Sequence, residues 1–193
     1  MKSPSRVDIV RKEKESVNKA SAQETNSLLE KAEFDGTNGE LRIAGTDWIL
    51  MQGSTFRSLI EGINKVLGTG AVAILFEGGK AAGKSFTQNT LREGTPPEEV
   101  PMWLELFFTQ GGWGKITARA DFANKTVAVT IDNCATARQV NSKDASCHFI
   151  RGYIAGICEV LFKTPVKCAE IRCMSKGSAF CEFSVQTQVQ KLC

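Results

Sequence analysis

The sequence predicts an α+β fold, with an antiparallel sheet packed against several helices. Three observations predict it. Apolar residues recur at helical spacing over four stretches, the period switches to two after residue 115, and hairpin turns join the period-two runs. Residues 1–33 interleave basic and acidic side chains with no aromatic before Phe34. Such a segment buries too little apolar surface to offset its ordering entropy, so it reads as a polar tail. Val10, Val17 and Leu28 leave a frayed helix there, or one that folds against an unidentified protein partner. The folded domain spans 34–190. Asn38-Gly39 signals a turn near short strands at Glu40–Ile43 and 48–51. Phe56, Leu59, Ile60, Ile63, Val66 and Leu67 give a helix over 54–67, closed by Gly68-Thr69-Gly70. Val100, Trp103, Leu104, Phe107 and Phe108 stripe a helix over 98–110. Ile116 to Phe122 and Val127 to Ile131 then alternate around Ala123-Asn124-Lys125 as a β-hairpin. Asp144 caps a helix over 145–162, and two last strands, 165–173 and 179–186, flank Ser175-Lys176-Gly177-Ser178.

Composition excludes several classes. The chain has 193 residues, 42% of them hydrophobic and 23% charged, which is a globular balance. A net charge of +3 is too small to argue for nucleic acid. No apolar run approaches the roughly 20 residues of a membrane span, and no signal-peptide core opens the chain. We therefore expect a soluble cytoplasmic protein with no membrane span. Seven cysteines without an export signal argue against a disulfide framework, and the single His limits histidine chemistry.

Gly78-Gly79-Lys80-Ala81-Ala82-Gly83-Lys84-Ser85 satisfies G-x-x-x-x-G-K-[ST], the loop that cradles nucleotide phosphates. Thr126 to Asp132 imitates the accompanying strand that ends in a magnesium-positioning Asp. Against this, the rest of the chain lacks βαβ units, and the Asp132 strand pairs in a hairpin. Val72, Leu75, Phe76, Gly79, Ala82, Gly83 and Phe86 also fall on one helical face. Gly79-x-x-x-Gly83 then becomes a small-residue packing seam, and Lys84 a solvated helix residue.

Four cysteines lie from Cys158 to Cys181, with Cys134 and Cys147 upstream and Cys193 at the terminus. Cys173 and Cys181 are equidistant from Gly177, so a hairpin centred there sets them face to face. Cys147 falls in the first turn of a helix, where the partial positive charge favours a thiolate. Glu170 could add an oxygen, but three positions separate it from Cys173, so a bulge or strand end must intervene. Cys168 and His148 compete as fourth ligand, and plain buried thiols are the simplest alternative.

Cys147-His148-Phe149-Ile150-Arg151-Gly152-Tyr153-Ile154-Ala155-Gly156, Ala169-Glu170-Ile171-Arg172-Cys173 and Gly177-Ser178-Ala179-Phe180-Cys181-Glu182-Phe183 together resemble the 4-vinyl reductase domain family. The Gly79-x-x-x-Gly83 seam is similar to that family's central helix. The resemblance implies a ligand-binding fold shared with haem-based nitric-oxide sensor domains and small subunits of vesicle-tethering complexes. It implies a structural zinc held by Cys147, Glu170, Cys173 and Cys181, and a phenol-like aromatic ligand. Sensory members of the family add an ATPase and a DNA-binding module. Neither pattern occurs here, so a stand-alone module is expected. Haem sensors use a Tyr-x-Ser-x-Arg motif, which the only tyrosine, Tyr153, does not supply.

The expected function is therefore binding or sensing of a small apolar or aromatic molecule by a homodimer. The homodimer rests on the resemblance and on the aromatic surplus of helix 98–110. Phe76, Trp103, Phe107, Trp113, Phe122 and Cys168 are the candidate pocket residues. Trp113 leads because, between Gly112 and Gly114, its ring should pack poorly into a core. Alternatives are nucleotide binding through 78–85 and a vinyl reductase, for which no dinucleotide fingerprint or catalytic pair is present.

Overall fold

Asp35 makes the first turn. Its carboxylate accepts the Thr37 N–H at 2.9 Å and the Asn38 side-chain amide at 2.8 Å, so the chain reverses at once. The computed structural model describes residues 29–43, 45–90 and 96–188, and the chain divides into two units after Ile49. The expected tail over residues 1–28 lies outside the described residues. In the first unit, β1 (Ala32–Asp35), β2 (Glu40–Ile43) and β3 (Thr46–Trp48) form an antiparallel sheet. The expected strand at 48–51 is displaced. The tight turn after Ile43 opposes Thr46 to Ile43, and the four residues of β2 are matched by the time the chain reaches Trp48.

The second unit holds helices α1 (Gly53–Leu67), α2 (Ala71–Thr90), α3 (Val100–Gln110) and α4 (His148–Phe162). Its strands are β4 (Lys115–Asp121), β5 (Thr126–Asp132), β6 (Val166–Arg172) and β7 (Phe180–Thr187), in the order β4-β5-β7-β6, antiparallel throughout. Alternation puts Val127, Val129 and Ile131 of β5, with Phe183 and Val185 of β7, on one buried face. Ile150, Ile154 and Ile157 of α4, spaced by four and three, cover that face.

Residues 78–85 lie inside α2, so their backbone N–H groups serve the helix and form no phosphate loop. The predicted face is the packed one: Leu75, Gly79 and Gly83 are buried, and Ile74 and Gly78 are exposed. Its partner is α4. A Cβ added at Gly79 or Gly83 would meet the carbonyl of Phe149 or Tyr153. One added at Gly152 or Gly156 would meet the carbonyl of Phe76 or Lys80. Backbone touches backbone along two turns of each helix, at a separation only glycine allows.

Lys84 is not a solvated residue. Its Nζ lies 2.7 Å from Glu159 Oε2 on α4, and Lys80 Nζ lies 2.8 Å from Oε1. Close approach of the helices brings both lysines to one carboxylate. Burial alone would raise the Glu159 carboxyl, but hydrogen bonds and charge from the two lysines outweigh it and hold the group below its ordinary value.

The run Gly53–Asn89 reaches the length and apolar composition of a membrane crossing, with a mean hydropathy of 1.5 over 18 residues. The sequence reading stopped at Gly68, whereas a single 3-10 turn there passes the chain straight into α2. Within the fold, α2 is fixed along its glycine face to α4.

The helix pair can be tested by mutation and by pH. Gly83→Ala should cost about 1–3 kcal/mol or more in chemical denaturation, because the new methyl forces the backbones apart. Gly78→Ala, with open space at its Cβ, should instead stabilise by about 0.5–1 kcal/mol. Equal effects of the two would refute the glycine contact. The Glu159 pairs, whose carboxyl is depressed in the fold, contribute above its unfolded value and are lost as pH falls through the folded one. Glu159→Gln should therefore flatten the acid limb of a stability-versus-pH curve.

Candidate functional site

Three structural devices gather the cysteines. The first is the turn between β6 and β7, where Gly177 adopts φ 90° and Ser178 N–H donates to the Cys173 carbonyl. Glu182 pairs with Arg172, so Cys181 and Cys173 fall opposite each other, as the sequence spacing requires. The second is a bulge at Ile171: Glu170 opposes Phe183, Arg172 opposes Glu182, and the residue between is left over. Ile171 turns outward and is exposed, and Glu170 and Cys173 reach the same side.

The third device is the start of α4, and here the expectation changes. The helix begins at His148 with Cys147 as N-cap, rather than at 145 under an Asp144 cap. Ser142 N–H donates to the Ser175 carbonyl at 2.9 Å, and Ser175 Oγ donates to the Asp144 carbonyl at 3.3 Å. These bonds tie 142–144 to the last turn and keep the segment out of the helix. Cys147 still sits at the positive helix end.

One ligand atom from each of Cys147, Glu170, Cys173 and Cys181 lies within 4.8 Å of all the others. Cys147 Sγ is 3.8 Å from Cys173 Sγ and 3.6 Å from Cys181 Sγ. A tetrahedral ion with sulfur bonds of about 2.3 Å spaces its sulfurs about 3.8 Å apart. Both Glu170 carboxylate oxygens are buried with no hydrogen-bond donor, as oxygens awaiting a cation would be. Burial, then contact with Cys173, pushes the Glu170 carboxyl up to about 8. These residues fit a metal ion.

The surroundings fit thiolates. Thr136 Oγ1 donates to Cys147 Sγ at 3.3 Å, Met174 N–H donates to Cys181 Sγ at 3.4 Å, and Ser175 Oγ lies 3.0 Å from Cys173 Sγ. Such outer hydrogen bonds orient metal ligands and spread their charge. Sequence reasoning missed Cys134, whose buried Sγ lies 3.7 Å from Cys147 Sγ. Only the pairing of β5 with β7, which sets Ile131 beside Cys181, brings it there. Hydrogen bonds from Cys147, then Cys181, pull Cys134 and Cys173 below the ordinary thiol value. Cys147 and Cys181 are pushed above it, first by their bonds to Cys134.

The two competing ligands stand apart. Cys168 is buried on β6, its thiol pushed up to about 12 by burial. His148 Nδ1 is buried without a partner, and burial holds the imidazole neutral.

The predicted pocket residues do not share one cavity. Trp103 and Phe107 pack with Phe86, Phe122 with Phe162, and Phe76 lies under the Arg151 guanidinium. Trp113 packs well, against expectation: it stacks on Phe149 at 16° and meets Phe56 edge-on at 5.1 Å. Gly112 and Gly114 bend the chain so that the ring turns into this cluster. A cleft of about 350 Å³, with Arg57, Thr136, Ser146 and His148 among its lining residues, includes none of the predicted six.

Residues 127–187 match the family model of the vinyl-4-reductase (V-4-R) domain. The chain carries a vinyl-4-reductase domain. The match covers β5, α4, β6 and β7, and with them all four cluster residues. The uncharacterized protein MJ0745 of Methanocaldococcus jannaschii is 32% identical over 83 residues, 43% of this chain and 44% of that protein. The chain thus spans under half the length of this curated relative. Among solved structures, the phenol-responsive sensory domain of the transcription activator PoxR, with phenol, matches with a TM-score of 0.72. Identity is 17%, covering 88% of this chain and 92% of that one. An H-NOX protein from S. oneidensis matches at TM-score 0.53 and 14% identity, over 92% and 95% of the two chains. Trafficking protein particle complex subunit 3 from Naegleria fowleri, covalently bound to palmitic acid, matches at 0.52 and 15%, over 71% and 93%. The fold around the vinyl-4-reductase domain is therefore the one expected from the resemblance.

Cys181→Ser should lower bound metal, measured by elemental analysis, together with the melting temperature, and a strong chelator should do the same. A site absent from the unfolded chain returns part of its binding energy as stability, on the order of several kcal/mol. Cys158→Ser, on α4 outside the cluster, should keep its metal. Full metal content in Cys181→Ser would refute the assignment.

Proposed function

We propose that the chain is a small-molecule-binding sensory module whose Cys147, Glu170, Cys173 and Cys181 hold a structural zinc ion. The observation that carries the reading is the vinyl-4-reductase domain, set in a fold like that of a phenol-responsive sensory domain over 88% of this chain. Three sulfurs and one carboxylate in tetrahedral spacing suit zinc, and four protein ligands leave no open position for catalysis. The ion would tie the start of α4 to the β6–β7 turn. Reduced thiols are required, which agrees with the expected cytoplasmic location.

The ligand is an apolar or aromatic molecule, received among the rings that surround α4. Phenol is the probe to use. Titrated into the zinc-loaded chain, phenol should raise the melting temperature as any ligand of the native state does. A flat response to phenol and other small aromatics would refute the reading.

The homodimer also remains part of the proposal, on a changed basis. Phe107 and Phe108 of α3 are buried within the chain, so the aromatic surplus is used internally. The exposed apolar side chains are instead Leu59, Val66 and Leu67 on α1 and Ile74 on α2. Sedimentation at micromolar concentration should give twice the 21.0 kDa chain mass. A monomer mass would remove the dimer and leave ligand binding standing.

A further inference from the structure

Arg151 lies in the first turn of α4, half-buried, between Phe76 of α2 and Cys168 of β6. The guanidinium carbon is 5.0 Å from the centre of the Phe76 ring. That contact engages the face of the guanidinium. Its five N–H donors lie in the plane and point outward from the edge. Nε is buried and has no acceptor, and among the described residues the side chain makes no ion pair or hydrogen bond. Leaving a buried cationic donor without a partner is expensive, so this edge is built for an acceptor that the chain does not provide.

Neighbouring groups do not supply one. Cys168 is held as a neutral thiol. His148, one turn earlier on the same face, brings a second buried nitrogen without a partner and no negative charge. Glu170, two positions beyond Cys168 on β6, is not within ion-pair distance of Arg151, and its oxygens belong to the metal cluster. The site has cationic and apolar walls and lacks an anion.

We infer that Arg151, with its face on Phe76 and its free edge toward Cys168, anchors the carboxylate of an aromatic acid. The inference rests on the small-molecule reading above and names the ligand's chemical class. A planar carboxylate meets the guanidinium edge through two parallel hydrogen bonds, and its ring lies against the apolar surroundings. The anchor discriminates: a neutral alcohol of the same shape leaves the arginine uncompensated, whereas the acid pairs it.

The test is calorimetric titration of the zinc-loaded full chain with benzoate, benzyl alcohol and phenol. Benzoate should bind about tenfold or more tightly than benzyl alcohol. Arg151→Gln should erase that preference and change benzyl alcohol binding by less than about threefold, with metal content retained. Arg151→Lys, which keeps the charge but not the planar fork, should keep part of the preference. If Arg151→Gln does not fold, the wild-type comparison and the Lys variant decide. Benzyl alcohol or phenol binding as tightly as benzoate would overturn the anchor and leave the sensory reading intact, with water then filling the guanidinium edge. Binding of none of the three at millimolar concentration would overturn both.

Discussion

The contact between the backbones of α2 and α4 sets where every chemically useful side chain in the second unit lies. Four glycines, two on each helix, let carbonyls of one helix rest where Cβ atoms of the other would stand. Each glycine costs the isolated helix about 1 kcal/mol relative to alanine, so neither helix gains from them alone. The cost is recovered only when the two helices meet. α4 is consequently clamped between α2 on one side and the buried face of β5 and β7 on the other. Cys147, His148, Arg151 and Glu159 are all placed by this clamp.

The sheet contributes the other half of the cluster by a different route. Cys173 and Cys181 depend on a hairpin turn, and Glu170 depends on the one-residue bulge at Ile171. Cys134 and Thr136 arrive on the segment after β5, and Ser175 on the β6–β7 turn. Four stretches distant in sequence therefore meet at one point, which the unfolded chain cannot hold. A cation bound there stabilises the whole second unit, not one loop, because releasing any ligand exposes the others to mutual repulsion.

How much of this was legible follows from which constraints are local. The period-two runs and the spacing of Cys173 and Cys181 about Gly177 read directly, because a hairpin register is set by its own turn. The need for a bulge at Glu170 was legible from an offset of three, although its position at Ile171 was not. The glycine seam of α2 read correctly as a packing face, but nothing local names Gly152 and Gly156 as its partners. Lys84 was misread for the same reason, since Glu159 lies 75 positions away and reaches it only through that seam. The start of α4 was misplaced because Asp144 is a good cap, and tertiary bonds from Ser175 override local capping. Trp113 was misjudged because flanking glycines suggest loose packing, whereas here they turn the ring into an aromatic cluster.

The first turn of α4 joins the two proposed sites mechanically. Arg151 N–H donates to the Cys147 carbonyl at 2.8 Å, the first backbone bond of the helix. A metal held by Cys147 fixes the residue that accepts this bond, and an acid held by Arg151 fixes the residue that donates it. Neither can shift without straining the other, because Gly152 already rests against the backbone of Phe76 and α4 cannot rotate away. An ion with no catalytic position can thus still bear on ligand affinity, by deciding how firmly the anchor is seated. By linkage, whatever affinity the metal adds for the acid, the acid adds equally for the metal.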